Sequence, residues 1–478
     1  MPDQQRADAL GFMGDDVVIT PHLDKLASQA MVADRCICNS PLCMPSRSSL
    51  ASGQYVNVHG AWRNGILADR EGPSHIRNVR DAGYHTAVIG KTHLHRARGH
   101  TSLGTPELED WGYLEAIETG GGNTTMSPYT DYLAEKGLLE LNLAHHNAGY
   151  KSGGRGVRVG DKQLGGRGRS WETPPSLMLP DDHLDMFILR ESAQWIRNYS
   201  SDKPFYLQVC PVGPHPPFDS PSEYRAKYDA DDMPLPIMDA PVGPTPPLVE
   251  AQTRLGRGLT SMGRARAQVL RANYYGKVTL IDDGIGQVVA ALEAKGLMDN
   301  TWIIYTSDHG ELLGDHRLEG KSVFYEGALN VPCLVRPPRR VEGWHTKAQI
   351  DLLDIAATLI DIAGAEALAE SPGRSLVPRV TAGPRALDAQ EGRAAVFSEL
   401  AGYSMVRGDR YKMAIDAASR EVVELYDLAR DPHELRNLAN DPGLAQVREE
   451  LLTEQLAPLL SEMDTEKLEA ARPRQRRS

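Results

Sequence analysis

The chain has 478 residues, and its 52 Lys and Arg against 64 Asp and Glu give a formal net charge of −12 at pH 7. It contains no run of 18 or more apolar residues, which argues against a membrane span, and its acidity argues against general nucleic-acid binding. No charged-then-apolar leader is visible, and three of the five cysteines fall within eight residues, so we expect a reduced, cytoplasmic protein without a secretion signal.

Helical and strand patterns alternate along most of the chain. Three apolar strand patterns each follow a helical pattern, at residues 86–90, 204–210 and 301–306. Further helical patterns cover 183–198, about 269–295, and Leu352–Ala363, which Gly364 ends. This alternation predicts an α/β fold with a large mixed, mostly parallel sheet flanked by helices.

A smaller C-terminal unit is predicted where the composition changes. After about residue 365 a stretch rich in Pro, Gly and Arg leads to short strand patterns at 396–400 and 411–415, and a last helical pattern covers about 444–463. We therefore divide the chain into a catalytic α/β domain over 1–384 and an α+β domain over 385–478. Two basic stretches, at 151–169 and 472–477, are expected to be a solvated loop and tail.

Chemically useful side chains follow the three predicted strands. Lys91 and His93 come after the first strand, His215 after the second, and Asp308 with His309 after the third. Ligands of open α/β sheets bind beyond the carboxyl ends of the strands, so we expect these side chains to share one site.

The segment Cys43-Met44-Pro45-Ser46-Arg47 predicts a short helix that Pro45 starts and Gly53 ends. Cys43 would then lie at the positive end of the helix, with Arg47 near the same face, where an anion can bind. The spacing from Cys43 to Arg47 is too short for the cradle of cysteine phosphatases. The alternative is that Cys43 is itself a substrate for oxidation.

At this point the sequence resembles the sulfatase family, in which the cysteine of a Cys-x-Pro-Ser-Arg signature is converted to formylglycine. The other matching segments follow the family's order along almost the whole chain: Asp3-Gln4-Gln5, Thr20-Pro21-His22, Gly90-Lys91-Thr92-His93, Pro214-His215-Pro216, Ser307-Asp308-His309-Gly310, Lys321 and Leu425-Tyr426-Asp427. The resemblance implies an alkaline-phosphatase-like fold and hydrolysis of sulfate esters. It also implies a formylglycine-generating enzyme as a partner during maturation and a homo-oligomer as a possible assembly.

The resemblance implies a role for each matching residue. The metal ligands would be Asp3, Gln4, Cys43 after conversion, Asp308 and His309, with Ca²⁺ as the first expectation and Mn²⁺ or Mg²⁺ as alternatives. The hydrated aldehyde would attack the ester through an oxygen whose pKa the metal lowers. Arg47, Lys91 and Lys321 would neutralise the non-bridging oxygens, His215 or Lys321 would protonate the leaving group, and His93 would assist release of sulfate.

Two other functions stay open. Phosphonate monoester or phosphodiester hydrolases use the same machinery, and an inactive metal-binding relative would lack turnover. In the sulfatase family a hydrophobic strand precedes the first metal aspartate, and no such strand pattern stands ahead of Asp3. We expect that the start of the chain was assigned too far downstream. Without this strand, a gap is expected between the central strands of the sheet. Four further histidines match no motif and are expected at the surface: His95, His100, His145 and His146.

Overall fold

A computed structural model describes residues 1–96, 99–146, 157–159, 162–164, 173–255, 263–339, 341–385, 390–461 and 468. Its strands are β1 (Met31–Ala33), β2 (Cys36–Ile37), β3 (His85–Gly90), β4 (Glu115–Glu118), β5 (Val157–Val159), β6 (Lys162–Leu164), β7 (Phe205–Cys210), β8 (Ile303–Thr306), β9 (Cys333–Arg336), β10 (Trp344–Thr346), β11 (Ile350–Asp351), β12 (Val396–Leu400), β13 (Tyr403–Arg407), β14 (Tyr411–Asp416) and β15 (Val422–Asp427). Most of the two basic stretches lies outside the described residues.

The α-helices are α1 (Pro21–Ala27), α2 (Cys43–Ser52), α3 (Val56–His59), α4 (His75–Asp81), α5 (Thr105–Trp111), α6 (Pro128–Glu135), α7 (Leu139–His146), α8 (Leu184–Asn198), α9 (Ser222–Arg225), α10 (Pro247–Arg254), α11 (Arg264–Ala294), α12 (Glu326–Leu329), α13 (Leu352–Ala363), α14 (Val377–Ala382), α15 (Ala445–Glu450) and α16 (Ala457–Ser461). A π-helical turn, Leu451–Leu456, joins the last two. In the described part of the chain, no helix combines the length and apolarity needed to cross a membrane.

The N-terminal part is α/β, as the alternating patterns predict. β3 pairs in parallel with β4 and β7, and a second sheet has the order β10-β1-β9-β8 with both parallel and antiparallel pairs. The predicted strands and helices correspond to β3, β7, β8, α8, α11 and α13. Local signals explain their ends: Asp351 caps the start of α13, and Gly364 ends it at a φ of 60°.

A cavity lies between two strands at the place where the sequence predicts a gap, which itself stays a prediction. β7 and β8 are edge strands of two different sheets, and both line a cavity of about 850 Å³. Apolar residues of α8 and α11 line the same cavity, and the amino group of Met1 donates a hydrogen bond to the Val209 carbonyl at 2.7 Å. The side chains of β7 are consequently half-buried rather than buried along most of the strand.

A separate four-stranded antiparallel sheet, β12-β13-β14-β15, forms the C-terminal part. Its buried face packs with Tyr55, Trp62 and the last helical turns into one apolar cluster. Buried ion pairs join the sheet to the N-terminal part, because Arg407 and Lys412 both contact Glu326. The sheet begins at Val396, and the domain boundary at 384/385 stays a prediction.

Candidate active site and metal centre

The carboxyl ends of three strands bring the expected side chains together. Lys91 and His93 follow β3, His215 lies in the loop after β7, and Asp308 with His309 follows β8. Asp3 reaches the same place because its backbone pairs with Pro214 and donates to the Gly213 carbonyl at 3.1 Å. The N-terminal residues thus lie between the ends of β7 and β8.

The predicted short helix is α2, which begins at Cys43 and ends before Gly53, whose φ is 68°. All ten of its residues are buried. Its first turn presents Cys43 to the centre of the site, and its second turn presents Arg47 to the same place. The Ser46 hydroxyl donates to the Asp308 carbonyl at 2.5 Å, which ties the helix to the end of β8.

Four side chains form a compact donor group: Asp3, Cys43, Asp308 and His309. One ligand atom from each lies within 4.8 Å of all the others, and all four residues are buried. The His309 Nε2 atom lies 3.1 Å from the Cys43 Sγ atom and 3.8 Å from an Asp308 carboxylate oxygen. The Asp3 carboxylate lies 3.8 Å from the same sulfur.

Two cationic side chains hold the carboxylates of this group. Arg47 donates through Nε to Asp308 at 2.7 Å and reaches the Oδ2 atom of Asp3 through Nη2 at 3.4 Å, and Lys91 pairs with the same Asp3 oxygen. Burial raises the pKa of Asp3, but Lys91, His215 and Arg47 together bring it well below the usual value. Burial likewise raises the pKa of Asp308, and Arg47 brings it below the usual value. Both carboxylates are therefore ionised and able to bind a cation.

Gln4 adopts a φ of 69° and lies beside the donor group. Its backbone N–H donates to Asp308 at 3.0 Å, and its side-chain oxygen accepts from the Lys321 ammonium. Its side-chain nitrogen donates to Glu311. The amide of Gln4 therefore links Lys321 and Glu311 to the centre, and its role as a ligand stays a prediction.

His215 and His93 flank the centre and are neutral at pH 7. Burial and then the Lys321 charge lower the pKa of His215 well below its usual value, and burial and then Lys91 do the same for His93. The Nδ1 atom of His215 lies 2.7 Å from the Pro216 carbonyl. That contact makes Nδ1 the protonated nitrogen and gives Nε2 the lone pair.

The thiol of Cys43 is more acidic than a free cysteine. Burial and the Asp3 charge raise its pKa, but Lys321, Lys91 and His309 outweigh them and lower it. The Lys91 ammonium lies 4.0 Å from the sulfur. Cationic side chains therefore favour negative charge at the atom attached to Cβ.

The donor set fits one divalent cation. Two ionised carboxylates are the ligands that Ca²⁺, Mg²⁺ and Mn²⁺ prefer, and the nitrogen of His309 favours Mn²⁺ within that group. The Nδ1 atom of His309 lies 3.0 Å from the Gly310 carbonyl, which orients Nε2 toward the centre.

Sequence reasoning missed several residues that hold the centre. The Ser307 hydroxyl accepts a hydrogen bond from the Gln5 N–H and donates one to the Pro2 carbonyl, both at 2.9 Å, so it fixes the N-terminal segment. The Tyr274 hydroxyl donates to the Gln4 carbonyl at 2.8 Å and accepts from the Arg6 N–H at 2.9 Å. Ser307 lies within a quoted motif and could have been found there. Tyr274 lies on α11 without any local signal.

The expectation that four histidines lie at the surface is wrong for three of them. His95, His145 and His146 are buried, with relative exposures of 6%, 8% and 7%, and only His100 is half-exposed. Burial lowers the pKa of His146 to about 4. Local sequence lacks a signal for this burial because the covering residues come from distant parts of the chain.

Comparison with known proteins assigns the family. The sulfatase family model matches residues 1–365, and the model of the C-terminal region of N-sulphoglucosamine sulphohydrolase matches residues 314–462. An arylsulfatase of Clostridium perfringens is 28% identical, over 92% of this chain and 89% of that protein. A multifunctional alkaline phosphatase superfamily protein of Trinickia caryophylli is 27% identical, over 97% of this chain and 94% of that protein. The structure of a phosphonate monoester hydrolase from Silicibacter pomeroyi is similar with a TM-score of 0.77, at 26% identity over 97% of this chain and 95% of that one.

Proposed function

Because the chain belongs to the sulfatase family, we propose that it hydrolyses sulfate esters with a formylglycine formed from Cys43. The observation that supports this best is the position of Cys43. Its side chain lies at the start of α2, in the donor group with Asp3, Asp308 and His309, and 3.1 Å from the His309 Nε2 atom. A cysteine with a purely structural role would not need this surrounding of carboxylates and cations.

The nucleophile requires maturation by a formylglycine-generating enzyme. Conversion replaces the thiol by an aldehyde, and its hydrate supplies an oxygen nucleophile on Cβ. A divalent cation held by Asp3, Asp308 and His309 would supply Lewis-acid chemistry that lowers the pKa of that hydroxyl. Ca²⁺ is the first expectation, with Mn²⁺ favoured by the nitrogen ligand.

Chain residues would do the remaining work. Lys91 and Lys321 carry positive charge beside the centre and would neutralise the non-bridging oxygens of the ester, together with Arg47. His215 or Lys321 would protonate the leaving oxygen. Because His215 is neutral at pH 7, Lys321 is the stronger candidate for that proton. His93 would take the second proton when sulfate leaves.

Phosphonate monoester hydrolysis is the second candidate. The similar structure from Silicibacter pomeroyi and the nitrogen ligand His309 both favour it. Singly charged sulfate and phosphonate monoesters place the same charge on a tetrahedral group, so the same cationic side chains would bind both. Rates on matched aryl sulfate and aryl phosphonate substrates with one leaving group distinguish the two functions.

The decisive experiment is mass spectrometry of the tryptic peptide that runs from Cys36 to Arg47, from protein produced with a formylglycine-generating enzyme. We expect the aldehyde at position 43 and turnover of at least one of the two aryl esters. Cys43→Ala should lose about a thousandfold or more in kcat, whereas Cys36→Ala in the same peptide should keep the aldehyde and the activity. A converted residue without turnover would favour the inactive metal-binding relative, and an unconverted thiol in active protein would refute the mechanism.

A further inference from the structure

A second cluster of metal-binding side chains lies outside the centre described above. His145 and His146 end α7, Asp219 lies in the loop after β7, and Asn123 lies in the loop between β4 and α6. We call these four residues the histidine cluster. All four are buried, with relative exposures of 8%, 7%, 0% and 7% in that order. None of them is used by the proposed hydrolysis.

The distances within the histidine cluster fit a tetrahedral ion. The Nε2 atoms of His145 and His146 lie 3.6 Å and 3.7 Å from one oxygen, Oδ2, of Asp219. These separations are too long for hydrogen bonds. Ligands bound at about 2.0–2.2 Å to a tetrahedral zinc ion lie about 3.4 Å from each other. The Asp219 oxygen therefore stands from each imidazole nitrogen at about the spacing that one ion requires, and all three ligand atoms lie within 4.8 Å of one another.

Asn123 lies beside these atoms and offers a fourth ligand. Its amide nitrogen is hydrogen-bonded to the Nε2 atom of His146 at 2.9 Å and lies 3.5 Å from the same Asp219 oxygen. Rotation of the amide by half a turn would place its oxygen, a metal ligand, at that position. The Asn142 side chain donates to the Asn123 carbonyl at 2.7 Å and holds this loop against α7.

The charges around Asp219 also favour a cation. Asp219 and Asp185 are fully buried, and Lys277 lies between them, 3.5 Å from the other oxygen of Asp219 and 3.3 Å from Asp185. Two carboxylates and one ammonium leave one negative charge. The ring of His183, 1% exposed, points its Nε2 atom at Asp219 from 3.7 Å, and this atom has no hydrogen-bond partner in the described residues. The carboxylate is thus surrounded by imidazoles that do not satisfy it.

We propose that His145, His146, Asp219 and Asn123 form a second metal site that binds Zn²⁺. Imidazole nitrogens with one carboxylate are a ligand set of zinc, whereas Ca²⁺ and Mg²⁺ prefer oxygen alone. The ion would connect α7 to the loops that carry Asp219 and Asn123, and these two loops line the active site. Asp219 lies four residues after His215, and Asn123 lies two residues after Gly121, where a Cβ would stand 2.9 Å from His93. The proposed site is therefore structural, because it would fix the two loops that position His215 and His93.

The test measures bound metal in the full chain. Protein purified after growth with zinc should contain one zinc per chain by elemental analysis, and His145→Ala, His146→Ala and Asp219→Asn should each lose it. Zinc affinity should fall by more than about 100-fold, because even the loss of a residue that only supports a ligand costs about 10- to 100-fold. His100→Ala is the matched control, since His100 lies in the same region and bonds Asp131 instead.

A second measurement keeps the test decisive when a variant folds poorly. Metal-free wild-type protein is titrated with Co²⁺, and a tetrahedral absorption spectrum that Zn²⁺ displaces is expected. Cys43→Ala should keep both the spectrum and the zinc, which separates this site from the proposed hydrolysis. A Co²⁺ spectrum without a tetrahedral component, zinc below half an equivalent in the wild type, or a zinc content that is unchanged in all three variants would overturn the proposal.

Discussion

Under the proposed function, Arg47 and a divalent cation bind the same two carboxylates, those of Asp3 and Asp308, which predicts a metal-dependent stability defect when Arg47 is replaced. In Arg47→Met, Asp3 and Asp308 stay fully buried and lose the guanidinium that reaches both. Removal of one partner from a buried ion pair costs about 3–5 kcal/mol. We therefore expect the free energy of unfolding to fall by about that amount when EDTA is present.

A bound cation should reduce this loss. Without the guanidinium, the carboxylates are free to bind the ion more strongly, and each tenfold gain in affinity recovers about 1.4 kcal/mol. Urea unfolding of both proteins, with EDTA and with saturating Ca²⁺ or Mn²⁺, measures the two losses. Calorimetric titration of the folded proteins measures the two affinities, which must account for the difference between the losses.

Arg407→Met is the matched control for this experiment. Arg407 is also a buried arginine, 5% exposed, and it contacts Glu326 at 3.1 Å on the C-terminal sheet. Its replacement should destabilise the protein equally with and without the cation. An Arg47→Met defect that is also independent of the cation would show that the ion does not bind Asp3 and Asp308, and the assignment of the metal ligands would be wrong.

Three further predictions concern the ligand, one buried carboxyl and the gap between the sheets. His309→Asn exchanges a nitrogen ligand for an oxygen and should shift metal preference from Mn²⁺ toward Ca²⁺ in competition titrations; an unchanged preference would remove His309 from the ligand set. Burial raises the pKa of Glu399 to about 7, so the folded protein keeps a proton between about pH 4 and 7 that the unfolded chain has lost, and stability falls as the pH rises through that window. Between pH 4 and pH 8, the free energy of unfolding of Glu399→Gln, measured with urea, should therefore rise by about 3 kcal/mol relative to that of wild type. A difference between the two proteins that does not change with pH would contradict the buried proton. A six-residue apolar extension before Met1 should raise Tm more than a Gly-Ser extension of equal length, because the edges of β7 and β8 both line the cavity there; equal Tm values would show that the cavity does not accept a strand.

The parts of the fold that follow local rules were predictable from the sequence. Apolar runs before Lys91 and before Ser307-Asp308 form β3 and β8, and α2, which begins at Cys43, has Pro45 in its first turn and ends before Gly53. The convergence of the strand ends follows from the parallel pairing of β3 with β7. Local periodicity and turn chemistry are sufficient for such elements.

The contacts that were not predictable join distant parts of the chain. Asp282 lies within the helical pattern over about 269–295, which has no signal for a buried carboxylate, yet it is fully buried and accepts hydrogen bonds from the N–H groups of His22 and Leu23 at the start of α1. His145 and His146 have no apolar periodicity, and their burial depends on Asp219 from another loop. Gln4 matches a ligand motif, but its amide is engaged by Lys321 and Glu311. Pairings of this kind depend on tertiary structure alone.

The charges of the active centre explain why sulfate and phosphonate esters are hard to separate. Arg47 and Lys91 balance the carboxylates of Asp3 and Asp308, and Gln4 links Lys321 to the buried Glu311, so under the proposed function the charge of the bound cation would remain for the substrate and the nucleophile. That surplus attracts any singly charged tetrahedral ester equally well, because Coulomb attraction depends on the charge and the distance. Selectivity must then come from the position of the leaving group relative to His215 and Lys321. His215 lies in the loop that Asp219 anchors, so loss of the histidine cluster should change the ratio of the two rates more than it changes metal binding at Asp3 and Asp308.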